Sequence, residues 1–259
     1  MKIKHIVFLV FGLFIAFSVL VDCINKKQST NENDDTGIIS ANPEIEQYNV
    51  LTDTEKEDGW KLLFDGKTTK GWRGFNRDSI GIGWTVEDGF LIAPGLGGDI
   101  GGDVISEEQF ENFDLKLEWK VTEGGNSGIF FHVLEGDYPA VYATGPEYQL
   151  IDDIGFPQKL EEWQSTGANY AMNPPKNAKI KPAGEWNSSE IIVNGPHVTH
   201  YLNGIKVVEY ELWSEEWEEL VKKSKWNKYP DYGKAKKGHL GLQDHGNKIY
   251  FRNIKIKVL

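Results

Sequence analysis

The chain has 259 residues, 28 basic against 39 acidic side chains and a net charge of −11, with 39% apolar and 26% charged residues. Nine Trp, ten Tyr and thirteen Phe exclude a chain disordered throughout, and a single apolar run at the extreme N-terminus excludes a transmembrane bundle. One cysteine excludes a disulfide framework, and the acidic balance argues against an electrostatic grip on nucleic acid. What remains is a soluble, aromatic-rich globular domain of a length that an undivided β-sandwich commonly reaches.

Met1 to Val21 reads as an export signal: Lys2 and Lys4 supply the positive start, and Ile6 to Val21 is apolar apart from Gly12 and Ser18. As a helix that run is about 24 Å long, short for a bilayer core of roughly 30 Å. The only cysteine follows at once in Leu20-Val21-Asp22-Cys23. This resembles a lipobox, although Asp22 stands where a small residue is expected. Residues 1–22 are therefore expected to be removed and Cys23 to carry lipid, with a retained membrane anchor as the alternative. From Cys23 to Lys56 the chain is polar and without period, and reads as a disordered tether. The folded domain, residues 57–259, is thus expected outside the inner membrane, in the periplasm or at the outer-membrane surface.

After Lys56 the texture changes to short apolar runs broken by Gly, Asn and Asp. Trp60 to Phe64 ends at Asp65-Gly66, and Trp84 to Glu87 turns through Asp88-Gly89 into Phe90 to Ile92, a hairpin signal. Phe113 to Val121 alternates apolar and charged residues, which predicts a half-buried strand with Phe113, Leu115, Leu117, Trp119 and Val121 facing the core. Further strands are expected over 128–134, 147–151, 190–193, 197–202, 206–210, 239–243 and 248–258, with Asn203-Gly204 as a second tight turn. Ser214 can cap a helix near 215–225 that carries Trp217, Leu220 and Val221 on one face. The predicted class is all-β: a two-sheet antiparallel sandwich, concanavalin- or jelly-roll-like, with one short helix.

Counting residues along the strands brings polar side chains together. Asn126 and His132 share a parity, Glu147 and Gln149 share another, and Gln243 agrees with His245, each pair backed by apolar residues on the opposite face. Neighbouring placement of these strands makes a concave polar patch; a solvated strand face is the plainer alternative. Trp84, Tyr142, Trp163 and Tyr170 are candidate platforms for stacking a sugar ring. Asp99 and Asp103 lie in a glycine-rich loop that matches neither a calcium nor a phosphate loop, and read as a cover over the site.

These segments occur in an order that resembles one known family. Leu62-Leu63-Phe64-Asp65-Gly66-Lys67, Asn126-Ser127-Gly128-Ile129, Tyr148-Gln149-Leu150-Ile151-Asp152, Gly167-Ala168-Asn169-Tyr170, Glu185-Trp186-Asn187, Ser224-Lys225-Trp226 and Gly241 to Gly246 are similar to the 3-keto-disaccharide hydrolase family, which includes 3-keto-glucoside 1,2-lyases and 3-keto-2-hydroxy-glucal hydratases. The resemblance covers Gly59 to Leu259; Asn169 departs from the more apolar residue expected there. It implies a concanavalin-like sandwich acting on oxidised mono- or disaccharides. A ketone at C3 acidifies the C2 hydrogen, so a base can expel the C1 substituent by elimination, and water adds back to complete net hydrolysis. Glu147 or His132 suits the base, and His245 with Gln243 suits proton delivery. Asn126 and Arg252 are candidates to hold hydroxyls or the enolate, and Gln149, Asp152, Trp163 and Tyr170 complete the candidate binding set. No cofactor is fixed by these residues; a divalent metal held by His132, Glu147 and His245 is the one candidate, acting as electrophile.

Two other classes compete. A glycan-binding surface lipoprotein uses the same sandwich and aromatics, and it becomes the better account if His132, Glu147 and His245 do not converge. A two-carboxylate glycosidase needs closely spaced acids on one strand, and Glu147 to Asp152 offers one central carboxylate. For the N-terminus, Cys23→Ala should release the protein from the membrane fraction; unchanged fractionation would show a retained hydrophobic anchor instead.

Overall fold

The computed structural model of the protein describes residues 48–96 and 102–259. The export signal, Cys23, the tether as far as residue 47 and Asp99 lie outside the described residues. Thirteen strands form two antiparallel sheets. One sheet holds β1 (Lys61–Leu62), β3 (Thr85–Glu87), β4 (Phe90–Pro94), β6 (Phe113–Val121), β9 (Asn187–Asn194), β10 (His197–Leu202), β11 (Ile205–Glu211) and β13 (Lys248–Val258), in the order β11-β10-β9-β6-β13-β4-β3 with β1 also on β13. The other orders β2 (Trp72–Gly74), β5 (Val104–Phe110), β12 (Gly238–Leu242), β7 (Asn126–Val133) and β8 (Glu147–Ile151) as β2-β5-β12-β7-β8. The expected two-sheet sandwich is what the chain forms.

Alternation explains the core. In β6 the five apolar residues are buried and the four charged ones between them are half-buried. From this strand Trp119 donates its indole N–H to the Ser189 hydroxyl at 2.8 Å, which satisfies both buried polar atoms. Ile191 and Val193 of β9 and Ile249, Phe251, Ile254 and Ile256 of β13 extend this face. Opposite it lie Ile129 and Phe131 of β7, Tyr148 and Leu150 of β8, and Leu240 and Leu242 of β12. The hairpin between β3 and β4 turns on Asp88 and Gly89, with φ of 52° and 79°, and that between β10 and β11 on Asn203 and Gly204, with 50° and 78°. These are the left-handed pairs that two-residue hairpins require.

Among the described residues two α-helices accompany the strands, one before β1 and one after β11. The first, α1 (Asp53–Glu57), is closed by a capping box between Thr52 and Glu55. With Asn49, which exchanges two backbone-to-side-chain bonds with Asn253 at 2.6 and 2.8 Å, it fastens residues 48–57 to the sandwich. The tether expected through Lys56 is therefore wrong over 48–56: one asparagine pair and one cap give this polar stretch the partners its composition lacks. The second helix, α2 (Glu215–Lys223), starts at the predicted Ser214 cap, whose hydroxyl accepts the Trp217 N–H. Trp217 stacks between Tyr210 (5.5 Å, 11°) and Tyr232 (5.9 Å, 4°), and Tyr232 stacks in turn on Trp226 (4.5 Å, 7°).

Leu117→Ala should cost about 2–5 kcal/mol of unfolding free energy. Lys116→Ala, one residue earlier on the outer side, should cost about 1 kcal/mol or less. Denaturant titration of both variants checks the facing of β6; equal losses would contradict it.

Candidate active site

The outer face of the smaller sheet gathers most of the polar candidates. Register places Ile105, Gly241, Phe130 and Glu147 in one row across β5, β12, β7 and β8. The next row contains Gly128 opposite Gln149, with Gln243 bonded to the Gly128 carbonyl by its N–H at 3.0 Å, and Asp103 just before β5. Asn126 follows on the same face and accepts a long bond from the Gln149 amide at 3.4 Å. The glycine is required: a Cβ on Gly128 would stand 2.5 Å from Glu147 Oε1 and 3.0 Å from its Cγ. The missing side chain is the space into which the Glu147 carboxyl leans.

One end of this face is closed by Ile105, Phe130, Val133 and Val141, against which Phe75 and Tyr142 pack. Beside them opens a cavity of about 540 Å³ whose lining includes Phe75, Arg77, Asp103, Tyr138, Tyr142, Gln243, Asp244 and His245. Glu147 is 5% exposed, and no described residue donates a hydrogen bond to its carboxylate. Burial pushes its carboxyl up to about 8; the Lys225 ammonium pulls the other way, and Asp103 adds a smaller push upward. Lys225 reaches in from just beyond α2, its Nζ 4.1 Å from the Tyr170 ring centre and 4.4 Å from that of Trp226. Trp226 donates to the Tyr170 carbonyl at 2.9 Å, and the Tyr170 N–H bonds the Glu147 carbonyl at 3.1 Å. The aromatic column under α2 thus holds Lys225 within electrostatic reach of the carboxyl, without an ion pair between them.

The predicted site residues divide. Asn126, Glu147, Gln149 and Gln243 share the outer face, Tyr170 with its neighbour Trp163 flanks Glu147, and His245 lines the cavity. His132 does not join them. Phe131 and His132 together oppose Leu240, and His132 sits at φ 53°, a bulge that ends period-two counting. Its ring lies against Phe113 and Phe131 of the core, with Nε2 2.8 Å from the Glu111 carbonyl oxygen. Burial holds it below the ordinary histidine range. The expected convergence of His132, Glu147 and His245 therefore fails, and the proposed metal set with it.

Arg252 is also elsewhere. It lies on the larger sheet, paired with Glu118 at 2.6 Å and stacked over Trp186 at 4.3 Å. Asp152 accepts the backbone N–H groups of Gly124, Ile154 and Gly155 at 2.9, 3.3 and 2.9 Å, so its carboxylate is taken up in shaping a turn. Trp84 is a core residue that donates to the Gly102 carbonyl. Asn169, unexpectedly polar, is buried and donates to Asn173 at 2.8 Å. Sequence reasoning missed Lys225, which reads as an ordinary helix-terminal cation, and undervalued Asp103, which reads as loop.

A family-wide sequence profile for the 3-keto-alpha-glucoside-1,2-lyase-like domain matches residues 59–257. The chain belongs to this family. A 3-keto-disaccharide hydrolase of Bacteroides thetaiotaomicron is 36% identical, the match covering 95% of this chain and 96% of that protein. A crystal structure described as a putative glycosyl hydrolase from Parabacteroides distasonis superposes with a TM-score of 0.77 at 44% identity, over 82% of this chain and all of the other. A second from the same organism gives 0.59 at 27% identity, over 77% and 99%. The failed convergence of His132 with Glu147 and His245 counts toward the binding-module alternative, but membership of a family of glycoside-hydrolase-type enzymes outweighs it.

The raised Glu147 carboxyl has a stability consequence with a definite sign. The folded chain holds this proton up to about 8, whereas an unfolded one releases it near 4.5. The stabilisation is present in full below 4.5 and is lost as pH rises through about 8. Glu147→Gln cannot ionise, so its stability relative to the parent should grow from pH 4.5 to pH 8. Thermal unfolding across that range checks it; a constant difference would contradict the burial of an ionisable Glu147.

Proposed function

We propose that this protein cleaves the glycosidic bond of 3-keto-glucosides and 3-keto-disaccharides by elimination across C1–C2 followed by hydration. The observation that carries the reading is the Glu147 carboxyl: buried, without a hydrogen-bond donor among the described residues, raised to about 8 and within the field of one lysine. A base poised near neutrality is what abstraction of a moderately acidic C–H proton asks for.

Glu147 takes the C2 proton, and the electrons flow into the C3 carbonyl as an enolate. The Lys225 ammonium favours that developing negative charge. Collapse of the enolate breaks the C1–O bond, and His245 supplies the proton to the departing oxygen. Water then adds across the resulting double bond, its hydroxyl to C1 and its proton to C2. The cavity beside Gln243 falls in the size range of small-ligand sites, and it has Tyr142 and Phe75 as apolar walls for the leaving sugar. Trp163, 36% exposed beside Tyr170, offers a ring at the other flank. Glu147 being the base, the rate must follow its ionised form.

Aglycone release from a 3-keto-glucoside and from its unoxidised parent tests this. The oxidised compound should be cleaved and the parent left intact. kcat/KM should rise with pH toward about 8 as Glu147 ionises. Glu147→Gln should lower turnover by about 10²–10⁴-fold and flatten the rise. Full activity in that variant, or equal cleavage of the unoxidised glucoside, would overturn the reading.

A further inference from the structure

The cavity wall holds acceptors with nothing to accept. Gln243 Oε1 and Asp244 Oδ2 are buried without a hydrogen-bond partner among the described residues. Their residues are 9% and 2% exposed. The other Asp244 oxygen, Oδ1, accepts the Gly246 N–H at 3.1 Å and closes a turn. Asp103, entering β5, accepts the Asp244 N–H at 3.1 Å, which brings a second carboxyl to the first. All three side chains line the same cavity. No described lysine or arginine forms an ion pair with either carboxyl. Gln243 Oε1 and Asp244 Oδ2 face a shared cavity with no hydrogen bond made to either, and such buried acceptors call for an electron-poor partner, since leaving them unpaired is costly and rare.

We propose that Asp103, Gln243 and Asp244 form a binding site for a hard divalent cation of the calcium or magnesium class. The donors are all oxygen, the set such ions prefer, and no thiol or imidazole is required. Three protein residues leave positions for water or for the hydroxyls of a sugar in the cavity. The ion would tie the entry to β5 to the turn after β12, linked just beyond the β5–β12 ladder by the bond from the Asp244 backbone N–H to the Asp103 side chain. The site concerns the cavity wall and stands whether or not Glu147 is the base.

Chelator-treated full-length protein titrated with calcium chloride and with magnesium chloride, by calorimetry and by thermal unfolding, tests it. One of the two ions should bind saturably at one site and raise the melting temperature beyond an equal ionic strength of sodium chloride. Asp244→Asn should weaken that binding by about tenfold or more, and Asp103→Asn gives the same comparison should the first variant not fold. No saturable binding of either ion, a melting rise matched by sodium chloride, or unchanged affinity in a folded variant would overturn the assignment. A failure here leaves the pH dependence of aglycone release untouched, and a failure there leaves the ion titration untouched.

Discussion

A buried carboxyl laid over a strand glycine, with no hydrogen-bond donor among the described residues, is the constraint on which the site depends. Burying a carboxylate without hydrogen bonds is unfavourable, and the protein meets the cost by letting the group hold its proton to about pH 8. Three features keep it there. The absent side chain at Gly128 makes room, β8 fixes the backbone on which Glu147 stands, and the segment after α2 brings up Lys225. Remove the space and the carboxyl must swing outward; remove the cation and its proton is held more tightly still. The aromatic column from Tyr210 to Trp226 then has a function beyond packing, because it sets where that cation lies.

The strands were legible because their burial is two-sided and regular. Phe113 to Val121 shows it: every second residue enters the core, so the pattern survives in the residue types alone. The same logic put Glu147, Gln149 and Gln243 on one face. It broke at His132, where one extra residue in β7 turns the side chain to the core, and nothing in the residue types signals a bulge. Arg252 failed differently. Its parity within β13 was readable, but which sheet β13 joins is decided by contacts with β6 and β4 far away in the chain. Asp152 failed because a strand-end carboxylate serves its own turn as readily as a ligand.

Lys225 marks the other limit. A lysine at the end of a helix is ordinarily a solvated charge that complements the helix dipole. Its role here comes from the stacking that seats α2 and the segment after it, a long-range arrangement of rings that no local pattern encodes. The start of the folded body was misplaced for a related reason: Asn49 is fixed by Asn253, about two hundred residues away.

The central claim is that the C2 proton leaves during turnover. Cleavage in deuterium oxide tests it most directly, with the released sugar analysed by mass and by proton NMR at early times against the uncleaved substrate. Elimination and rehydration deliver a solvent proton to C2, so each product molecule should carry one deuterium there while unreacted substrate carries none. Product that keeps its original C2 hydrogen would show direct displacement at C1 and contradict the account.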